Sequence, residues 1–169
     1  AGGGGTDVVA IVTTTDFVNM SAASFNEIEQ IRFAGANQTG TFTGGHLTGE
    51  TLSLTETAAG TSNLVINVGS GTTATFANMT ASTFTSGSDT VTINGAGGNE
   101  TITGPNIAST INAGTGDDIV TGGDGADSLT GGSGDDVYLF DTNDVDSGES
   151  ITEAGGGGTD VVAIVTTTD

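Results

Sequence analysis

Cysteine is absent from the 169 residues, which excludes a disulfide framework and any thiolate metal site. Lysine is absent too, and Arg32 alone stands against 21 acidic residues, for a formal net charge of −20. Phosphate binding needs clustered Lys and Arg, so nucleic acid is excluded as a partner, and an anionic membrane would repel the chain. No apolar run approaches the roughly 18 residues of a spanning helix, and membrane insertion is not expected. No secretory leader is visible, an absence that carries no information if the sequence is a fragment of a longer chain. Tryptophan is missing, proline occurs once, and aromatics make up 5%. With one histidine, His46, and neither an HExxH nor a GxSxG motif, catalysis is not expected, and His46 reads as a turn or surface residue.

What remains is a chain of 30 glycines with Val, Ile, Leu and Ala spaced among Thr, Ser and Asn, a pattern suited to short strands and tight turns. An excess of carboxylates destabilises a compact state by self-repulsion unless cations neutralise it. The alternatives are disorder and metal binding, and the periodic apolar residues favour metal.

Residues 1–16, AGGGGTDVVAIVTTTD, recur without a change at 154–169, a period of 153 residues. A shorter period lies inside this one. Residues 113–139 divide into AGTGDDIVT, GGDGADSLT and GGSGDDVYL. Glycine holds positions two and four (Gly114, Gly116; Gly123, Gly125; Gly132, Gly134), aspartate position six (Asp118, Asp127, Asp136), and an apolar or aromatic residue position eight (Val120, Leu129, Tyr138). The register continues backward with decay through GPNIASTIN, GAGGNETIT, where Glu100 takes the aspartate place, and SGSDTVTIN, with Asp89. It returns at both ends of the chain, with Asp7 and Asp160.

Gly-rich hexads turn tightly and aim successive carbonyls at one point, while the triplet after each hexad is a minimal strand whose middle side chain faces inward. Two nonapeptides make a flattened coil of about 18 residues, and stacked coils pair their strands in parallel. Carboxylates and glycine carbonyls are hard oxygen donors, which favours Ca²⁺. Consecutive turns fall on opposite edges, so an ion would lie between one turn and the next but one. Asp118 and Asp136 are therefore expected on one edge. Asp127 is expected on the other, facing the loop 104–109 and whatever follows residue 140. Asp117 and Asp135 form adjacent carboxylate pairs with Asp118 and Asp136, read as ion ligands and solvated neighbours.

GGDGADSLT and GGSGDDVYL resemble the GGxGxDxUx repeat of the RTX family of secreted calcium-binding proteins. The continuation from Asp136 to Val165 resembles the segment after RTX repeats in large bacterial surface proteins. The resemblance implies a parallel β-roll folded by several Ca²⁺ ions and export from the cell. It carries the family's ligands to Asp118, Asp127 and Asp136, and beyond them to Asp89, Asp7 and Asp160. Glu100 and Ser109 depart from the motif.

Residues 17–85 lack the aspartate turns but keep short alternating runs, read as strands of an ion-poor solenoid, with a separate β-sandwich as the alternative. The expected fold is thus all-β, a parallel β-roll or β-solenoid with Ca²⁺ in its Gly/Asp turns. It is divided into 1–16, the solenoid strands 17–85, the calcium roll 86–153, and 154–169 as the start of the next unit. About eight coils of 18 residues would make a rod of ~40 Å per period. The expected function is a structural, non-enzymatic repeat of a large extracellular bacterial protein, as an adhesin stalk, surface-layer element or filament. Its partners would be neighbouring copies, in tandem or end to end, and a cell surface or other filaments. The alternatives are the non-catalytic calcium domain of a secreted hydrolase or toxin, and an ice-binding solenoid built on the recurrent Thr-x-Thr.

Overall fold

A computed structural model describes residues 5–84, 88–141, 144–153 and 157–165. Parts of both terminal repeats, 1–4, 154–156 and 166–169, lie outside the described residues, as do residues 86 and 87 of SGSDTVTIN. The described strands lie in three sheets and pair only in parallel. The first sheet holds β1 (Val8–Ile11), β3 (Gln30–Phe33), β5 (Leu52–Glu56) and β8 (Met79–Ala81). The second stacks β2 (Thr15–Asp16), β4 (Thr39–Thr43), β6 (Asn63–Asn67), β9 (Thr90–Asn94), β11 (Thr110–Thr115), β13 (Ser128–Ser133) and β15 (Ser150–Ile151). The third holds β7 (Thr73–Thr75), β10 (Thr101–Thr103), β12 (Ile119–Thr121), β14 (Val137–Phe140) and β16 (Val161–Ile164). All-β architecture with parallel, repeat-like stacking is the fold class expected of a β-solenoid.

The coils are not uniform, and here the structure departs from the sequence expectation. Asn94 donates its side-chain amide to Asn67 across a coil of 27 residues, whereas Asn112 donates to Asn94 across one of 18. The longer coils are three-sided: the chain runs from first to second to third sheet and back to the first. In the earliest coils the third side is formed by a 3-10 turn, Ala22–Phe25, and a single helical turn α1, Gly44–Leu47. The coil of α1 is tied to β7 by the Gly49 N–H to the Thr75 carbonyl and the Thr75 N–H to the Thr48 hydroxyl, both 2.9 Å. The first sheet ends at β8, and beyond it the coil alternates between the second and third sheets. The 18-residue unit describes only this part, and the seven strands of the second sheet stack to ~29 Å at ~4.8 Å spacing.

The cross-section dictates the core. Three sides enclose a wide interior that needs rings, and six of the seven phenylalanines fall between Phe17 and Phe84. Phe17 stacks on Phe42 at 4.6 Å, and Phe25 meets Phe42 edge-on at 5.5 Å. The centre of the two-sided roll is the buried column Ile93, Ile102, Ile111, Val120, Leu129 and Tyr138. His46 is no surface residue: it is 4% exposed, accepts the Thr43 N–H on Nδ1 at 3.2 Å, bonds the Met20 carbonyl through Nε2 at 2.9 Å, and packs on Phe25. It closes the corner of the helical turn.

Truncating the ring at the centre of the wide coil, Phe42→Ala, is expected to cost about 3–5 kcal/mol. Denaturant unfolding in saturating calcium measures this; a loss under ~1 kcal/mol would mean that the three-sided core is not packed as described.

Candidate metal centres in the glycine and aspartate turns

The residue before each strand of the third sheet sits at the end of a turn, and four of these residues form a row: Glu100, Asp118, Asp136 and Asp160. Each receives the backbone N–H of the coil before it. The Glu100 N–H donates to Asp118 Oδ1 at 2.7 Å, the Asp118 N–H to Asp136 Oδ1 at 2.8 Å, and the Asp136 N–H to Asp160 Oδ1 at 3.1 Å. The row opens with the Gly71 N–H on Glu100 Oε1. Asp118 and Asp136 thus share one edge, as their spacing predicted.

The opposite edge repeats the device. Asp127 Oδ1 accepts the Ser109 N–H at 2.7 Å and the Ser109 hydroxyl at 2.9 Å, and the Asp127 N–H donates to Glu149 Oε2 at 3.1 Å. Asp89 accepts the Ser62 N–H at 2.8 Å on the same edge. Asp117 and Asp135 form an outer, exposed row of reversed sense: the Asp117 N–H donates to Asn99 Oδ1, the Asp135 N–H to Asp117 Oδ1, and the Thr159 N–H to Asp135 Oδ1. Asp7 donates its N–H to Glu29 Oε2 at 2.6 Å.

Glycine is required in the turns for two reasons at once. Gly132 and Gly134 hold φ of +114° and +130°, and a Cβ on them would lie 2.0 and 2.1 Å from the carbonyl oxygens of Gly114 and Gly116. Coils therefore approach backbone to backbone, with carbonyl oxygens crowded beside the carboxylates. Gly114, Gly116, Gly123 and Gly125 also have positive φ.

Each inner carboxylate uses one oxygen for the coil-to-coil bond. The other is buried without a hydrogen-bond partner in Glu100, Asp118, Asp127, Asp136 and Glu149, and Asp7 Oδ2 is in the same condition. A buried acceptor left unpaired is costly, and a charged one far more so. One convergent group stands out among the described residues: Asp136, Glu153 and Asp160 place carboxylate oxygens within 4.8 Å of one another. Tyr138, buried in the core column, donates its hydroxyl to Glu153 and fixes that carboxylate at the turn. Carboxylate and carbonyl oxygens with no nitrogen or sulfur are the donor set of a hard divalent cation, and the unpartnered oxygens fit one.

Several of these residues escaped the nonapeptide register. Glu149 takes the aspartate place on the second edge, but the inserted run from Asp141 delays it. Its signature is nonetheless visible, because Glu149 precedes Ser-Ile-Thr as Glu100 precedes Thr-Ile-Thr. Asp146, in the same run, accepts the Gly125 N–H at 2.9 Å, and Glu153 carried no signal.

The family described as RTX calcium-binding nonapeptide repeat (4 copies) matches residues 108–138. No curated protein and no solved structure matches the chain.

Burial raises the carboxyl of Asp118 to about 6, against the opposing hydrogen bond from Glu100, and that of Asp127 to about 7, against the bonds from Ser109. Burial likewise pushes Asp136, Asp144 and Glu149 upward. A carboxyl raised above its unfolded value of about 3.9 favours folding fully below that value and loses the contribution as pH rises through the folded value. In chelator, strand signal in circular dichroism is therefore expected to be gained between pH 8 and pH 5, where Asp127 and then Asp118 take up protons. Ion-free stability that rises with pH across this window would contradict the arrangement.

Proposed function

We propose that the chain is a structural repeat of a large extracellular bacterial protein, folded and stiffened by several calcium ions. The observation that carries this reading lies in the inner carboxylate rows, where Glu100, Asp118, Asp127, Asp136 and Glu149 each use one oxygen to staple adjacent coils and bury the other without a partner. Asp118, Asp127 and Asp136, with the crowded glycine carbonyls, would hold the ions in the turns. Glu100, Glu149 and the group Asp136, Glu153 and Asp160 would extend these sites, and the ions would supply positive charge to a chain of net charge −20.

The reading gives calcium the role of a folding switch. A ligand bound only by the folded form adds ~1.4 kcal/mol per site for each tenfold excess over its Kd. Millimolar calcium outside the cell suits sites of about 10⁻⁴–10⁻³ M, the range of extracellular modules. Mechanical service as a stalk, surface layer or filament is supported by the parallel stacking of coils along one continuous seven-stranded sheet. Non-catalytic service is supported by the commitment of the sole histidine to packing. No helix of the described residues is long and apolar enough to cross a membrane.

Circular dichroism during a calcium titration, with reversal by EDTA, tests the switch: strand signal is expected to appear with calcium and vanish with chelator, and a signal indifferent to both would refute it. Asp127→Asn gives a sharper test. The amide keeps an oxygen for the Ser109 N–H but removes a buried charge. The variant is expected to raise the calcium midpoint about tenfold or more while leaving the ion-free chain at acid-to-neutral pH as stable as the parent or more so. Destabilisation of equal size with and without calcium would make Asp127 a purely structural acceptor.

A further inference from the structure

The matching described parts of the identical segments 1–16 and 154–169, residues 5–12 and 158–165, sit in different surroundings. As Ile11 of β1, the isoleucine is 0% exposed and lies opposite Phe33; as Ile164 of β16, it is 73% exposed and lies opposite Phe140. Val162, the counterpart of Val9, is 58% exposed. A single sequence cannot suit both environments unless one of them is incomplete.

The backbone bonds show which neighbour each copy lacks. In β1, the Asp7 carbonyl accepts the Gln30 N–H at 3.2 Å and the Ile11 carbonyl accepts the Ala34 N–H at 2.8 Å, so these residues bond toward β3. In β16, the Val161 N–H donates to Asp136 at 2.8 Å and the Val165 N–H to Phe140 at 2.7 Å, so the alternate residues bond toward β14. Residues along a parallel strand point alternately to its two neighbours. The two copies therefore use complementary halves of one strand's capacity, and each is the last described strand of its sheet. The open half of β16, at Asp160, Val162 and Ile164, is the half that β1 gives to β3.

Resting on the structural-repeat reading, we propose that β16 is the first strand of a second copy of this unit. Residues Gln30–Phe33 of that copy pair with its open edge, Ile31 opposite Val162 and Phe33 opposite Ile164. The third sheet of one unit thereby becomes the first sheet of the next. The core column continues from Tyr138 through Val162 to Ile31 of the following copy, matching the pairing of Val9 with Ile31. The carboxylate row continues too. Asp136 donates to Asp160, and Asp7, the same residue of the repeat, donates to Glu29, so the row Glu100, Asp118, Asp136, Asp160 passes on to Glu29 of the next copy. The junction then has no seam: one hydrogen-bonded strand serves both units, and the rod's exposed ends are occupied by copies of itself.

The test compares the 169-residue chain with a two-unit chain, residues 1–153 followed by 1–169, in saturating calcium. Amide hydrogen exchange at Val162 and Ile164, in the junction strand that follows residue 153, is expected to be fast in the single chain and about 100-fold slower or more in the two-unit chain. Equal exchange in both would overturn the junction. Ile164→Asp serves as an independent measure: it should leave the unfolding midpoint of the single chain almost unmoved and lower that of the two-unit chain by several degrees. A small effect in both would also overturn it. Protection of Val162 and Ile164 in a two-unit chain whose strand signal ignores EDTA would support the junction while refuting the calcium reading.

Discussion

The structure depends on one interaction repeated along two edges: a backbone N–H at the start of one strand donates to a carboxylate at the start of the strand stacked on it. The bond sets the register, because it fixes which residue of one coil lies over which of the next. It also buries a charged group in a chain with a single basic residue, Arg32, so no protein cation is at hand for each carboxylate. Neighbouring carboxylates in a row repel one another, and burial removes the water that would screen them. Register and charge compensation are thus the same problem, and on the proposed calcium reading a divalent cation held by oxygen donors would answer both.

The turn chemistry follows from that bond. Coils must approach closely enough for the N–H to reach the carboxylate, which brings backbone against backbone at Gly132 and Gly134 and leaves no room for a Cβ. The thin roll beneath buries only one or two apolar side chains per strand, such as Val120 or Leu129, so hydrophobic burial alone is modest there. The three-sided part shifts the balance: its phenylalanine cluster supplies apolar burial, and helical turns and His46 close its third side. The molecule passes from a core-stabilised end to a turn-stabilised end along one continuous second sheet.

How much of this was legible in the sequence tracks how local each feature is. The nonapeptide reports its own geometry, since glycine spacing, the sixth-place aspartate and the eighth-place apolar residue all act within nine residues. Val120, Leu129 and Tyr138 accordingly face inward, and Asp118 and Asp136 share an edge. Coil length in residues 17–84 is different, because a third side made of four-residue helical turns leaves no period to read. His46 was misjudged for a related reason: its burial comes from Met20 and Phe25 on a neighbouring coil, and nothing within its own turn announces them. Glu149 was hidden by the inserted residues after Phe140, which break the count without breaking the stack.

The central claim is that the buried, unpartnered carboxylate oxygens are cation ligands, and the most direct measurement is a crystal structure of the calcium-loaded chain with anomalous scattering. The account predicts ion density in the turns, with Oδ2 of Asp118, Asp127 and Asp136 at about 2.3–2.6 Å from calcium. Those three oxygens hydrogen-bonded only to water or protein at millimolar calcium, with no ion density beside them, would contradict it.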